Sequence, residues 1–147
     1  MTGGGRVVPR IVVGVDGSTA SVRALRWALG QARATGAMVE AVIAWEVPTS
    51  YGVGPTVVDG EDLAGVAEQS LAAAVDEVSA AHPGVPVQRR VLRGNPAAVL
   101  VEQARNADLL VVGSHGHGGF VGALLGSVSH RCVQHAACPV VVVRAAG

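Results

Sequence analysis

The chain has 147 residues, half of them hydrophobic, with Trp27, Trp45, Tyr51 and Phe120 as its only aromatic side chains. Eleven basic and eleven acidic residues give a formal net charge of zero, which argues against nucleic acid or an anionic membrane surface as a partner attracted by bulk charge. Every basic residue is an arginine, so a phosphate loop that relies on a lysine ammonium is excluded.

A chain of this length buries roughly two thirds of its unfolded surface, so one domain spanning 1–147 with one sizeable core is expected. With so few aromatics, Val, Ala and Leu must fill that core, which suits a β-branched sheet covered by alanine-rich helices. The opening segment has no apolar h-region, and nothing approaches the roughly 18 uninterrupted apolar residues of a membrane span. The expectation is a cytoplasmic protein.

In chain order, Ile11-Val12-Val13-Gly14-Val15 reads as a buried strand that ends at Asp16-Gly17-Ser18. Ser18 or Thr19 opens a helix with an apolar stripe through Val22, Leu25, Leu29 and Ala32, closed by Gly36. Met38 to Trp45 is a second strand, and Pro48 to Gly60 is a long connection of the kind that often carries function. Asp62 to Ala81 reads as an alanine-rich helix broken by Pro83-Gly84, and Val85 to Leu92 as a third strand. Gly94-Asn95-Pro96 starts a helix through Arg105, Leu109 to Val112 is a fourth strand, a helix runs from about Gly126 to Gln134, and Pro139 to Val143 is a fifth strand.

Strands that alternate with helices, each strand read as continuously apolar, imply an α/β fold: a three-layer doubly wound sheet of five parallel strands. Ligands in such sheets bind beyond the carboxyl ends of the strands, where strand order reverses. With order 3-2-1-4-5 the reversal falls between the first and fourth strands, and the ends at Asp16 and Gly113 share one crevice.

The segment after the fourth strand carries the chemistry. Gly113, Gly116 and Gly126-Ser127 give the spacing G-x2-G-x9-G-[ST], directly after a strand and ending on a helix start. Glycines without Cβ let backbone N–H groups approach phosphate oxygens, and a helix start adds unpaired donors and a positive dipole end. The hydroxyls of Ser127 and Ser129 are further candidate donors. The common nucleotide motifs are absent, since there is no G-x4-G-K-[ST] and the first strand lacks G-x-G-x-x-G. Taken singly, the glycines need be no more than a turn and a cap, and Asp16 no more than an Asx turn or helix cap.

This spacing, together with Val15-Asp16-Gly17-Ser18 at the end of the first strand, resembles the ATP-binding branch of the universal stress protein family over about the whole chain. The resemblance implies an adenine nucleotide alpha hydrolase-like fold and ATP as the ligand, with Mg2+ held mainly through the phosphates. It places adenine and ribose near Gly14, Val15, Asp16 and Ala44. It wraps the phosphates with Gly113, Ser114, His115, Gly116, Gly118 and Gly119, completed by Gly126, Ser127, Val128 and Ser129. It further implies a nucleotide-dependent regulatory or stress-response role with little or no hydrolysis, and a homodimer paired through Val140, Val141, Val142 and Val143 of the fifth strand. Slow ATP hydrolysis or nucleotidyl transfer with His117 assisting a water, a member of the same fold that binds cyclic AMP, and an interaction module without nucleotide are the competing readings.

No catalytic residue is assigned, because no nucleophile elbow, lysine or carboxylate pair accompanies the loop. Cys132 and Cys138 read as buried thiols. No metal ligation is expected from the histidines and cysteines near the C-terminus, because His130 and Cys132 fall about 200° apart on a helix. Arg93 reads as a solvated strand-end arginine sooner than a phosphate contact.

Overall fold

The computed structural model describes residues 8–47, 60–116 and 125–145. Nine elements follow in order: β1 (Arg10–Gly14), α1 (Thr19–Thr35), β2 (Met38–Trp45), α2 (Gly60–Ser79), β3 (Val87–Arg93), α3 (Pro96–Gln103), β4 (Leu109–Gly113), α4 (Ser127–His135) and β5 (Val140–Val143). The five strands form one sheet in the order β3-β2-β1-β4-β5, and every neighbouring pair is parallel. The expected architecture is therefore the observed one.

Alternation along the central strands feeds two cores. Ile11, Val13, Val39, Ala41, Ile43 and Val111 face α1 and α2, while Val12, Val42, Leu110 and Val112 face α3 and α4. This double burial is why β1, β2 and β4 read as apolar runs instead of alternating ones. On α1 the sheet-facing side carries Ala20, Ala24, Ala28 and Ala32 at four-residue spacing beside Leu25 and Leu29, all buried. Small side chains there bring the helix close to the strands.

Caps fix the helix starts. The Ser18 hydroxyl accepts from the Ser21 amide at 3.2 Å, and Asn95 Oδ1 accepts from the Ala98 amide at 3.1 Å, with Pro96 opening α3.

Two expectations need correction. The third strand is not continuously apolar: it reads Val87-Gln88-Arg89-Arg90-Val91-Leu92-Arg93 and lies at the sheet's edge, where only part of each side is covered. Val87 and Val91 pack towards α2, while the exposed Arg89 pairs with Asp76. It begins at Val87, because Val85 still belongs to the turn that donates its amide to the His82 carbonyl at 3.4 Å. The connection from Pro48 falls outside the described residues except for Gly60, which starts α2.

One polar group lies deep in the sheet. Glu40 on β2 is 2% exposed, and its Oε2 accepts from Arg10 Nη1 at 2.9 Å. Arg10 Nη2 also donates to the Gln103 carbonyl at 3.2 Å, and the Arg10 amide donates to Asp108 Oδ2 at 2.8 Å. One arginine thus ties the start of β1 to β2, to the end of α3 and to the approach to β4.

Candidate functional site

A cavity of about 290 Å3 opens at the carboxyl ends of β1 and β4, the two strands flanking the reversal in strand order. Gly14, Val15 and Asp16 reach it from the end of β1, Ala44 from β2, Gly113 from β4, His115 and Gly116 from the loop beyond, and Gly126, Ser127, Val128 and Ser129 from the start of α4. Residues 99 positions apart in the chain, Gly14 and Gly113, become neighbours because β1 pairs directly with β4.

Close packing accounts for two of the glycines. A Cβ on Gly113 would lie 2.8 Å from the carbonyl carbon of Ala20 and 2.9 Å from the Ser21 nitrogen, so only glycine lets β4 end against the first turn of α1. A Cβ on Gly116 would collide with Asp16 Oδ2. The loop after β4 therefore crosses directly over the Asp16 carboxylate.

Asp16 makes the Asx turn that its position allowed: Oδ1 accepts from the Ser18 amide at 2.9 Å, while its own amide donates to the Ser21 hydroxyl at 3.2 Å. Local bonding fixes the side chain in the cavity wall, with Oδ2 turned towards Gly116. A turn and a cavity-lining group are thus one residue.

The start of α4 forms the opposite wall. Gly126 is its N-cap and has no side chain to offer, so no side chain caps the start of α4, whose first-turn residues Ser127, Val128 and Ser129 line the cavity. The Gly126 amide donates to the Ser114 carbonyl at 2.6 Å and pins the helix start to the end of β4. The Ser129 hydroxyl, 2.9 Å from the Ser114 carbonyl and 3.0 Å from that of Gly126, is turned into the protein. Ser129 therefore presents its backbone to the cavity, where the sequence suggested a hydroxyl, and Ser127 retains the exposed hydroxyl.

Ser114 does not line the cavity. It is 4% exposed, its amide donates to the Val143 carbonyl at 2.7 Å, and its Oγ lies 3.3 Å from His115 Nδ1. Its role in the geometry is to join β4, β5 and α4. Gly118 and Gly119, assigned to the phosphates from sequence, and His117 lie outside the described residues.

Sequence reasoning missed Ser18, Ser21, Val42, Pro96, Leu100, Val112 and Leu125 on the cavity wall. Val42 was legible by alternation, two residues before Ala44 on its strand, whereas Val112, adjacent to Gly113, was not. Pro96 and Leu100 were not, because only the packing of α3 across the ends of β1 and β2 brings them in. These residues make the wall built by β2 and α3 apolar, whereas the wall from the β4 loop and α4 is built of His115, glycines, serines and the uncapped helix start.

Asp16 and His115 are the only titratable side chains among the described lining residues. Arg93 is not near them in role: its guanidinium lies over the Trp45 ring, 5.6 Å from the centroid. On α4, His130 is exposed while Cys132 is fully buried, so the two point to different sides of the helix. Burial pushes the Cys132 thiol up to about 11; it also raises Cys138, against the opposing pull of the Arg10 charge.

A parallel sheet in this order, with a glycine-bounded cavity at its reversal and an uncapped helix start as one wall, defines a doubly wound α/β fold with its candidate ligand site at the switch point. The family model described as the universal stress protein family matches residues 8–144, and the chain belongs to that family. A universal stress protein of Mycolicibacterium smegmatis is 42% identical over 135 residues, covering 91% of this chain and 45% of that protein. The chain thus spans about half the length of the curated relatives it matches. Among solved structures, a universal stress protein in complex with cAMP superposes with a TM-score of 0.73 at 30% identity, covering 96% of this chain and 100% of the other. The universal stress protein from Archaeoglobus fulgidus in complex with dAMP gives a TM-score of 0.65 at 26% identity, covering 93% and 98%.

Proposed function

We propose that the chain acts as one adenine-nucleotide-binding unit, with ATP as the ligand, whose occupancy sets a conformational or assembly state in the cytoplasm. The observation that carries this reading is the uncapped start of α4 facing the cavity beside the Gly113 to Gly116 crossing. Anions are stabilised at such amides, and the segment from Gly113 to Ser129 supplies no lysine or arginine that could take their place. The apolar wall of Val42, Ala44, Pro96 and Leu100 suits a base, and Asp16 beside it suits ribose hydroxyls.

Asp16 is the only carboxylate on the described cavity lining, too few to hold Mg2+ without other oxygens. The ion fits this donor set as a companion of the phosphates. Hydrolysis is slow or absent in this reading, because among the described lining residues only Asp16 and His115 could accept a proton and no lysine or arginine is there to meet transferred charge. The relatives solved with cAMP and dAMP support an adenine-selective cavity and make cyclic AMP the second reading.

Mass spectrometry of the denatured, freshly purified protein, followed by calorimetric titration with ATP and Mg2+, cyclic AMP and GTP, tests both. ATP is expected to bind most tightly, and Gly116→Ala, which pushes a methyl into Asp16, to weaken it at least about tenfold, or about 1.4 kcal/mol. Preference for cyclic AMP would move the assignment to the second reading, and no adenine preference would remove both.

A further inference from the structure

A second groove, of about 470 Å3, lies on the far side of the α3/α4 layer and is separate from the cavity at the strand ends. Its floor is small and apolar, with Ala97, Ala98 and Val101 of α3 and Ala137 beyond α4, and its rim carries Arg105, Arg131 and His135 together with one carboxylate, Glu102. Arg131 and His135 are one helical turn apart on α4 and form no ion pair among the described residues, whereas Arg105 pairs with the exposed Glu102 at 3.4 Å.

The chemical complement of this groove is on the opposite face of the sheet. Helix α2 carries Glu61, Asp62, Glu68, Asp76 and Glu77 and no basic residue. Its outward stripe runs Asp62, Val66, Gln69, Ala73 and Glu77, all exposed, at helical spacings of four, three, four and four residues. Val66, 65% exposed, is the most exposed of the large hydrophobics among the described residues. The stripe therefore sets Val66 and Ala73 on either side of Gln69 and is acidic at both ends. Val66 and Ala73 stand about 10 Å apart along the axis, close to the roughly 12 Å length of α3, which has eight residues.

We propose that α2 of a second copy of this chain docks in the α3/α4 groove, with Val66 and Ala73 over the alanine floor and Asp62 and Glu77 against the rim cations. Because α2 packs on the other side of the sheet, a chain cannot fill its own groove, and the contact joins unlike surfaces head to tail. A net charge of zero leaves no overall repulsion between copies. Two small apolar contacts flanking Gln69, with charges at the ends, make the association weak, specific in register and sensitive to salt.

The test is sedimentation velocity of the full chain over a concentration series at about 0.01 M and about 1 M salt, where the screening length falls from about 30 Å to about 3 Å. The expected result is an association step that weakens at least about tenfold at high salt. Arg105→Glu with Arg131→Glu removes the step, and so does Asp62→Arg with Glu77→Arg. Mixing the two charge-reversed chains restores it, which a folding defect in either could not do. Far-ultraviolet circular dichroism of each variant checks that the helices are retained. No salt-sensitive association, loss with only one of the pairs, or no recovery in the mixture would each overturn the proposal.

Discussion

Cys132 shows how one side chain reports on packing. It is fully buried between α4 and the sheet, and burial alone lifts its ionisation from 9.0 to about 11. A thiol that ionises less readily when folded contributes stability that is complete below pH 9 and lost as pH rises towards 11, because the unfolded chain releases its proton first. Two pH units correspond to about 3 kcal/mol at most. Urea unfolding across this range is expected to show a decline for the natural chain that is smaller in Cys132→Ala, while the half-buried Cys138 reacts first with thiol reagents. Equal pH slopes in the two proteins would place the loss elsewhere. The glycines of the cavity follow the same logic of contact, since Gly113 and Gly116 are where backbone or carboxylate occupies the space a methyl would need.

At the scale of elements, the chain is held in register at the amino ends of the central strands by Arg10. It reaches Glu40 on β2, the Gln103 carbonyl at the end of α3, and Asp108 before β4. Removing the guanidinium leaves a carboxylate with 3% side-chain exposure unpaired, one of whose oxygens already has no hydrogen-bond partner in the natural chain. Arg10→Ala is therefore expected to lower stability by about 3 kcal/mol in chemical denaturation, and Arg10→Ala combined with Glu40→Gln by clearly less. Similar losses in the single and double variants would show that the ion pair itself is not what matters. The elements themselves follow from local signals: Ser18 and Asn95 at helix starts, Gly36 in the left-handed conformation at the end of α1, and valine runs in the central strands. The third strand was the exception. Its three arginines are tolerated because an edge strand buries only part of its surface, a fact about position that no local pattern carries.

For the whole molecule, the order of strands leaves β5 at one edge, with Val141 and Val143 packed towards α1 and Val140 and Val142 towards α4. Its outer backbone groups face no strand among the described residues, and exposed edges of this kind are normally covered. In the proposed homodimer that cover is the same strand of a second copy. Val141→Lys is expected to remove the dimer from the sedimentation profile at about 1 M salt, where the salt-sensitive groove contact is screened. A Val141→Lys protein that keeps the natural profile and the natural circular dichroism spectrum would remove edge pairing.

The sequence by itself determined the fold class, the parallel sheet and the glycine spacing beside a helix start, because each is written in short-range patterns: apolar runs, caps and the need for space without a Cβ. It also named most of the residues that line the cavity. Only the tertiary structure decided that Ser114 is a buried joint, that the Ser129 hydroxyl points inward, and that Pro96 and Leu100 belong to the wall. Those facts depend on which helix crosses which strand end and which carbonyl lies within reach of a hydroxyl. Such relations are set by packing between distant segments, and a single chain direction does not encode them locally.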